Sequence, residues 1–223
     1  MADGASPKAT QPMLPLASYR GQKPPAPAWF EAAIETPFET RFTEVDGASI
    51  RYQVWGDTRK PGLLLVHGNG AHAHWYDFLA PYFADTHYVV AMTFGGMGDS
   101  DHRETYSIDQ FTEEQLAVCE DSGLFANNAK PCIVAHSFGG FITMNTGRFH
   151  GDRFSGIMIV DSPVRRPEDP WDGPPQRTKG NRIYADFEGA LGRFRLAPPQ
   201  PCENDYIVDY IGRHSLKEVE TGN

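Results

Sequence analysis

A serine that could act as a nucleophile stands in the segment Ala135-His136-Ser137-Phe138-Gly139. The apolar run before it predicts a buried strand, and the residues after it predict a helix. A serine at such a sharp strand-to-helix turn projects out of the sheet in strained backbone geometry. The turn leaves little room for side chains two positions away on either side, and Ala135 and Gly139 are both small. The pattern therefore predicts that Ser137 is a nucleophile rather than a serine that only caps the helix.

A glycine-rich turn, His67-Gly68-Asn69-Gly70, directly follows another apolar run. Backbone N–H groups in such a turn can bind the negative charge that develops on a carbonyl oxygen during acyl transfer. The candidate donors are the N–H of Asn69 and the N–H of Phe138, the residue after the serine. Losing one donor of this kind costs about 3 kcal/mol of barrier stabilisation. Alone, the segment would be an ordinary glycine-rich turn, but together with the serine it indicates an oxyanion hole.

A third glycine-rich turn spans Phe94 to Ser100, after the next apolar run. The three turns occur in the order and spacing of the α/β-hydrolase family, which the sequence resembles from Phe38 to Lys217. Family members often carry the pattern Asp-x-x-Gly-x-Gly-x-Ser at the third turn. This chain has Thr93 in place of the aspartate and Gly95 where proline is common. The resemblance implies that the third turn is structural and carries no catalytic residue.

Apolar periodicity predicts two antiparallel strands on either side of Asp46-Gly47, a hairpin signal, followed by alternating strands and helices. The predicted strands cover residues 38–45, 49–54, 62–66, 87–92, 131–135 and 154–160, and the predicted helices cover residues 72–83, 108–122, 138–150, 182–196 and 203–217. This alternation predicts a mostly parallel, doubly wound sheet that binds ligands at the carboxyl ends of its strands. The resemblance implies a sheet of the α/β-hydrolase type with a helical cap insertion.

The chain divides by composition into three segments. Residues 1–30 hold six of the eighteen prolines and predict a disordered Pro/Ala-rich arm. Residues 31–161 carry the α/β core, and residues 162–223 predict a helical cap segment that begins with a proline-rich loop. The cap side chains expected to pack in the cap core or to line the roof of a pocket are Tyr184, Phe187, Arg193, Phe194 and Arg195.

Full-length members of the family continue with further strands beyond the cap. The resemblance therefore implies that this chain is a truncated form that lacks its C-terminal strands. The strand at residues 156–160 would then be an apolar sheet edge. Such an edge can pair with another chain, so we expect self-association through it.

The identity of the nucleophile selects among the reactions that the resemblance implies. Family members that open epoxides or remove halide use an aspartate at this position, because they form an ester on a carboxylate. Ser137 instead implies acyl transfer to serine, with esters, thioesters, lactones or diketones as substrates. Asn69 is similar to the His-Gly-Asn of dehalogenases, and cofactor-independent peroxidases of the same fold also use serine. The expected function is a serine hydrolase that acts on a small acyl compound through an acyl-serine intermediate, without a metal or organic cofactor.

Activation of the serine requires a base and an acid that orients the base. Family members place the acid and then a histidine after the nucleophile. Asp161, at the end of a predicted strand, is a candidate acid or else an anchor for the strand end. The histidines after Ser137 are His214 and His150, which lies at the far end of a predicted helix about 18 Å long. The alternative function is a catalytically incompetent fragment, or a small-molecule-binding pseudo-hydrolase that lacks the triad histidine.

The composition limits the classes of partner. A formal net charge of −9, with 40% hydrophobic and 22% charged residues, is typical of a globular protein and argues against nucleic acid or an anionic membrane surface. Apolar runs of about five to eight residues are far shorter than a membrane span. Cys119, Cys132 and Cys202 lack the spacing of a disulfide framework or a zinc site. Without a secretory signal at the start, the sequence predicts a cytoplasmic protein.

Overall fold

The computed structural model describes most of the chain. The described residues are 14–162, Val164, Glu168, 182–198 and 200–219. The chain divides into two compact units: the core unit is Pro27–Pro175, and the second unit combines Met1–Ala26 with Gln176–Asn223. The first part of the predicted arm and nearly all of the predicted proline-rich loop lie outside the described residues.

Six strands of the core unit form one sheet in the order β1-β2-β4-β3-β5-β6. The strands are β1 (Glu39–Val45), β2 (Ala48–Trp55), β3 (Gly62–Val66), β4 (Tyr88–Met92), β5 (Cys132–His136) and β6 (Gly156–Val160). β2 pairs antiparallel with both β1 and β4. The pairs β4–β3, β3–β5 and β5–β6 are parallel. The prediction of a mostly parallel sheet is confirmed, and the four parallel strands end together at one end of the sheet.

The turn between β1 and β2 places both of its central residues in the left-handed region, with Asp46 at φ 48° and Gly47 at φ 72°. A two-residue turn of this kind matches the right-handed twist of the strands that it joins. Val45 accordingly pairs with Ala48 across the turn. The hairpin predicted from the Asp-Gly pair is confirmed.

Helices occupy much of the remaining described chain. They are α1 (Ala28–Ile34), α2 (Ala80–Ala84), α3 (Ile108–Asp121), α4 (Phe138–His150), α5 (Phe187–Leu191) and α6 (Asp205–His214). Within the described residues, none of them is both long enough and apolar enough to cross a membrane. The single helix predicted over residues 72–83 is wrong, because a 3-10 turn at Ala73–Tyr76 and the separate α2 take its place. Pro81 lies in the first turn of α2, where the missing N–H of proline is tolerated, and it would break a helix running through it.

Both faces of the sheet bury apolar side chains, as expected for parallel strands covered on two sides. α3 and α4 pack on one face. The buried strand residues on that face are Val45, Ala48, Ile50, Tyr52, Val54, Leu64, Val66, Tyr88, Val90, Met92, Ile133 and Ala135. α2 packs on the other face. The buried strand residues there are Trp55, Leu63, Leu65, Val89 and Ala91. The doubly wound arrangement is therefore confirmed.

A buried polar contact joins α3 to α4, the helix that begins after the predicted nucleophile. Gln115, Thr143 and Thr146 are all fully buried. The side-chain amide of Gln115 donates a 2.7 Å hydrogen bond to the hydroxyl of Thr143, and the hydroxyl of Thr146 donates to the amide oxygen of Gln115. Since a buried amide left without partners is costly, these bonds fix the register of α4 against α3.

The second unit has its own small apolar core. Leu16, Leu191 and Val208 are each 1% exposed, and they bring residues 14–26 against α5 and α6. Residues 14–30 therefore differ from the expected disordered arm. Burial of Leu16 outweighs the Pro/Ala-rich composition around it, and α1 of the core unit buries Phe30.

Both helices predicted for the cap form over shorter spans than predicted, as α5 and α6. Arg213 donates two hydrogen bonds to the carboxylate of Asp209, at 2.7 and 2.9 Å, and a third of 2.7 Å to the carbonyl oxygen of Gly21. Among the predicted cap side chains, Phe194 packs on the apolar core of the second unit. The centre of the Phe187 ring lies 5.4 Å from the Cζ atom of Arg213. Phe194 thus has the core-packing role, one of the two that the sequence allowed.

The two lateral edges of the sheet differ in chemistry. β1 carries Glu39 and Arg41, which form a 2.6 Å ion pair. β6 ends the sheet on the other side within the described part of the chain, and it has no charged residue. Met158 is 58% exposed and Val160 is 41% exposed on this strand. The apolar edge expected from the sequence is therefore present at β6.

Candidate active site

Ser137 joins β5 to α4 at the carboxyl end of the sheet, with φ 51° and ψ −117°. Such a conformation costs a residue other than glycine about 1–3 kcal/mol. Ser137 precedes the first residue of α4, yet its side chain makes no capping hydrogen bond. The hydroxyl therefore does not stabilise the helix, and the strained turn is the elbow that the sequence predicts.

Gly139 allows the start of α4 to approach the end of β3. A Cβ atom on Gly139 would lie 2.4 Å from the carbonyl oxygen of His67 and 2.8 Å from a methyl carbon of Val66. Both separations are too short for a real side chain. Ala135, on the other side of the elbow, is fully buried. A glycine at position 139 is thus required by packing against the end of β3 as well as by the turn itself.

The second glycine-rich turn packs against this elbow. A Cβ atom on Gly68 would lie 3.2 Å from the Cβ of Ser137 and 2.9 Å from Nδ1 of His136. The structure therefore brings together the two motifs that the sequence singled out. Asn69 is exposed, and the N–H of Phe138 has no acceptor within the helix because it lies in the first turn of α4. The role of these two N–H groups as an oxyanion hole stays a prediction.

The imidazole of His67 joins the second turn to the third. Its Nδ1–H donates a 2.7 Å hydrogen bond to the carbonyl oxygen of Gly68, and its Nε2 accepts a 3.0 Å hydrogen bond from the N–H of Phe94. One nitrogen donates and the other accepts, so the ring is neutral. Burial lowers the pKa of His67 to about 4, which keeps it neutral at pH 7. Both ring nitrogen atoms of His67 are hydrogen-bonded, so the imidazole orients the second glycine-rich turn. Gly70, in the same turn, has φ 67°.

The third turn is held by a buried ion pair. The N–H of Gly95 donates a 2.9 Å hydrogen bond to the carboxylate of Glu114, which also pairs with the guanidinium of Arg103. Burial raises the pKa of Glu114, although the Gly95 N–H and Arg103 both oppose that rise. A Cβ atom on Gly95 would lie 2.7 Å from the carboxylate. The glycine that replaces the common proline thus supplies the N–H and the space that Glu114 needs.

Thr93, which replaces the aspartate common in the family, has a defined structural part. Its hydroxyl oxygen accepts a 2.9 Å hydrogen bond from the N–H of Ala73, in the 3-10 turn after the second glycine-rich turn. Its carbonyl oxygen accepts a 2.7 Å hydrogen bond from the hydroxyl of Ser100. Thr93 therefore links the second and third turns, consistent with a structural third turn.

Asp161 follows β6 directly and lies beside the elbow. The carbonyl oxygen of the preceding residue, Val160, accepts a 2.9 Å hydrogen bond from the N–H of Ser137. Asp161 has φ 51° and is exposed. Its carboxylate makes no hydrogen bond to another described residue. The positive φ gives Asp161 a part in turning the chain after β6, and its role as the acid stays a prediction.

Two histidines follow Ser137 in the sequence, His150 in the core unit and His214 in the second unit. His150 is the last residue of α4, whose 13 residues span about 20 Å at 1.5 Å per residue. His214 ends α6 in the second unit, where its ring lies 4.6 Å from that of Tyr210. The base that would activate Ser137 is therefore not assigned to a described residue, and the predicted lack of a cofactor stays a prediction.

Sequence reasoning missed Arg103, Glu114 and Ser162. Glu114 shares one face of α3 with the buried Phe111 and Val118, at helical spacing. A carboxylate on an apolar helix face is a signal that could have indicated a buried ion pair, although it does not name the partner. Ser162 lies in a segment predicted as loop, and no local pattern shows what its hydroxyl contacts.

Comparison with known proteins agrees with this fold. The model of the alpha/beta hydrolase family matches residues 63–215, which is more than half of the chain. The chain therefore belongs to the alpha/beta hydrolase family.

Two curated relatives illustrate the range of the family. Epoxide hydrolase 1 of Caenorhabditis elegans is 30% identical over 129 residues, which are 56% of this chain and 31% of that protein. Serine hydrolase-like protein of Homo sapiens is 34% identical over 118 residues, which are 52% of this chain and 56% of that protein. The matched region thus spans less than two thirds of the length of either relative.

Two solved structures share the fold. A thioesterase domain from the curacin biosynthetic pathway has a TM-score of 0.54 and 24% identity, covering 60% of this chain and 49% of that one. Epoxide hydrolase VrEH1 from Vigna radiata has a TM-score of 0.53 and 20% identity, covering 59% of this chain and 43% of that one. At this level of identity the likeness concerns the fold alone.

Proposed function

We propose that this protein is a serine hydrolase that cleaves a small acyl substrate through an acyl-serine intermediate on Ser137. The observation that carries the proposal is the backbone of Ser137, held at φ 51° with a side chain that makes no capping hydrogen bond. Strained residues persist only where their surroundings hold them, and they cluster at functional sites. Relatives named as an epoxide hydrolase and as a serine hydrolase-like protein support hydrolysis as the class of reaction.

In the proposed reaction, the Oγ of Ser137 attacks the carbonyl carbon of the substrate while a base takes the hydroxyl proton. The carbonyl oxygen becomes an oxyanion, and the N–H groups of Asn69 and Phe138 are the proposed donors to it. The intermediate then collapses, the leaving group departs with a proton, and an acyl ester remains on the serine. Attack by water on this ester releases the acid and restores the hydroxyl.

The start of α4 adds electrostatic support to this step. The helix has 13 residues and begins directly after Ser137. Its unpaired N–H groups and the helix dipole place partial positive charge at this end. An oxyanion that forms beside Ser137 would therefore be stabilised relative to the neutral carbonyl. Esters, thioesters and lactones are the substrate classes that this arrangement suits.

The second candidate is a protein of the same fold that binds a small acyl compound without hydrolysing it. It is favoured by the engagement of both nitrogen atoms of His67 and by the position of His150 at the far end of α4. Without a base the serine hydroxyl remains a weak nucleophile at neutral pH. The two candidates therefore differ in whether Ser137 is activated.

Labelling of the full chain with a fluorophosphonate probe tests the activation of Ser137. We expect the wild-type chain to be labelled and Ser137→Ala to remain unlabelled, with the modified peptide identified by mass spectrometry. Ser155→Ala is the matched control, because Ser155 is an exposed serine that precedes β6 in the same unit. Circular dichroism establishes that each variant is folded. A folded wild-type chain that stays unlabelled would reject the hydrolase proposal and favour the binding protein.

A further inference from the structure

Ser162, two residues beyond β6, contacts the backbone of the proposed nucleophile. Its hydroxyl donates a 2.6 Å hydrogen bond to the carbonyl oxygen of Ser137. The same oxygen accepts a longer hydrogen bond, 3.2 Å, from the N–H of Phe141 in the first turn of α4. A carbonyl oxygen has two lone pairs, so both bonds are made together. The shorter of the two comes from outside the helix.

A second hydrogen bond from the same segment holds the other side of Ser137. The N–H of Ser137 donates to the carbonyl oxygen of Val160, the last residue of β6, at 2.9 Å. This N–H belongs to the rigid peptide plane before the Cα of Ser137, and the carbonyl held by Ser162 belongs to the plane after it. Holding both planes restricts φ and ψ of Ser137 together. A residue strained at φ 51° needs such restraint to keep its conformation.

The chain after β6 is shaped for this contact. Asp161 adopts φ 51°, which turns the chain so that Val160 and Ser162 both reach the same residue. Aspartate tolerates this region better than most residues do. A Cβ atom on Gly140 would lie 2.0 Å from the Oγ of Ser162. The hydroxyl therefore occupies space that only a glycine at this position leaves open.

We propose that Ser162 is a positioning residue that holds Ser137 in its reactive conformation. The inference rests on the proposed function, because it assigns Ser162 a part in the same site. Ser162 acts through the Ser137 carbonyl group. Without its hydrogen bond, ψ of Ser137 can relax and the nucleophilic oxygen moves. A displacement of about 1 Å at a reacting atom can cost about 100-fold in rate.

Labelling kinetics of the full chain test this role. We expect Ser162→Ala to lower the maximal rate of fluorophosphonate labelling at least about tenfold, with little change in the probe concentration for half-maximal rate. Ser162→Thr keeps a hydroxyl and should restore most of the rate. Ser155→Ala removes a hydroxyl at the other end of β6 and should leave the rate unchanged. A merely structural role would lower the free energy of unfolding without slowing the folded protein.

Hydrogen exchange gives a readout that does not depend on reactivity. In Ser162→Ala, the amides of residues 137–141 should exchange faster than in the wild type, and in Ser155→Ala they should not. If Ser162→Ala does not fold, Ser162→Cys replaces it, because it keeps the size and weakens the donor.

The outcomes separate this inference from the proposed function. Wild-type labelling rates and wild-type exchange in Ser162→Ala would overturn the positioning role and leave the hydrolase proposal standing. An unlabelled wild type would reject the hydrolase, and unchanged exchange at the elbow would then reject the restraint as well.

Discussion

The N–H of Phe94 donates a 3.0 Å hydrogen bond to Nε2 of His67, whose opposite nitrogen donates to the carbonyl oxygen of Gly68 at 2.7 Å. The Gly68 carbonyl and the Asn69 N–H belong to one planar peptide and point in opposite directions. By holding the carbonyl, the ring sets the direction of the N–H that we propose as an oxyanion donor. The third turn thereby supports the second one, although it has no proposed catalytic residue.

We expect the free energy of unfolding to fall as the pH is lowered from 6.5 to about 4. Burial lowers the pKa of His67 from 6.5 to about 4, so the unfolded chain takes up the proton first. The stabilisation that comes from keeping His67 neutral is complete above pH 6.5 and is lost as the pH falls towards 4. Between these values the free energy of unfolding changes with a limiting slope of about 1.4 kcal/mol per pH unit. Denaturant titrations of the wild type and His67→Asn measure it. The control is His102→Asn, at an exposed histidine, which should keep the wild-type dependence of stability on pH. If His67→Asn also keeps the wild-type dependence, His67 is not the group responsible for it.

Gly139→Ala should destabilise the chain by about 1–3 kcal/mol and slow fluorophosphonate labelling. The new Cβ would meet the carbonyl oxygen of His67 at 2.4 Å, and backbone atoms cannot yield as a flexible side chain can. The matched control is Gly151→Ala after α4, where a Cβ has no neighbour within 4 Å. Thermal unfolding and labelling rates of both variants give the comparison. Equal effects of the two substitutions would contradict the steric requirement at the elbow.

Asp161→Asn separates the two roles of Asp161. Asparagine tolerates positive φ as aspartate does, so the turn after β6 is kept while the charge is lost. The exposed carboxylate makes no hydrogen bond within the described residues, so we expect the labelling rate to change less than about threefold. A loss of about 10⁴-fold, as expected when the acid of a triad is removed, would instead assign the acid role. The experiment is a rate measurement on the folded full chain.

Glu114→Gln should cost about 3–5 kcal/mol of stability, because it leaves the guanidinium of Arg103 buried without a carboxylate. The side chains are 0% and 9% exposed, so solvent does not screen the pair. Glu113→Gln, at the exposed neighbour, should have little effect. Denaturant unfolding of the two variants checks the difference. If both substitutions are equally mild, Glu114 does not hold the third turn as we infer.

We propose that two copies of this chain associate through β6. An antiparallel pair centred on Met158 would place Ile157 opposite Ile159 of the second copy, with no charge along the strand. The opposite edge of the sheet carries the Glu39–Arg41 ion pair, which disfavours pairing there. Met158→Lys should therefore reduce concentration-dependent association in light scattering. A monomeric wild type at high concentration would overturn this proposal.

Much of the core unit could be predicted from the sequence. The apolar runs at β3 and β5, the Asp46-Gly47 hairpin and the small residues around Ser137 encode local structure, so the fold class and the elbow follow from them. The order and spacing of the three turns led to the α/β-hydrolase family, to which the chain belongs. These features can be predicted from the sequence because each depends on residues that are close together in the chain.

Contacts between distant residues were decided only by the tertiary structure. The tautomer of His67 depends on Phe94, the charge of Glu114 is balanced by Arg103, and Ser162 reaches the carbonyl oxygen of a residue 25 positions earlier. The burial of Leu16 was equally hidden, because its partners lie in α5 and α6 near the other end of the chain. A pattern along the sequence shows which face of an element is apolar, whereas hydrogen-bond partners are chosen by how the elements pack.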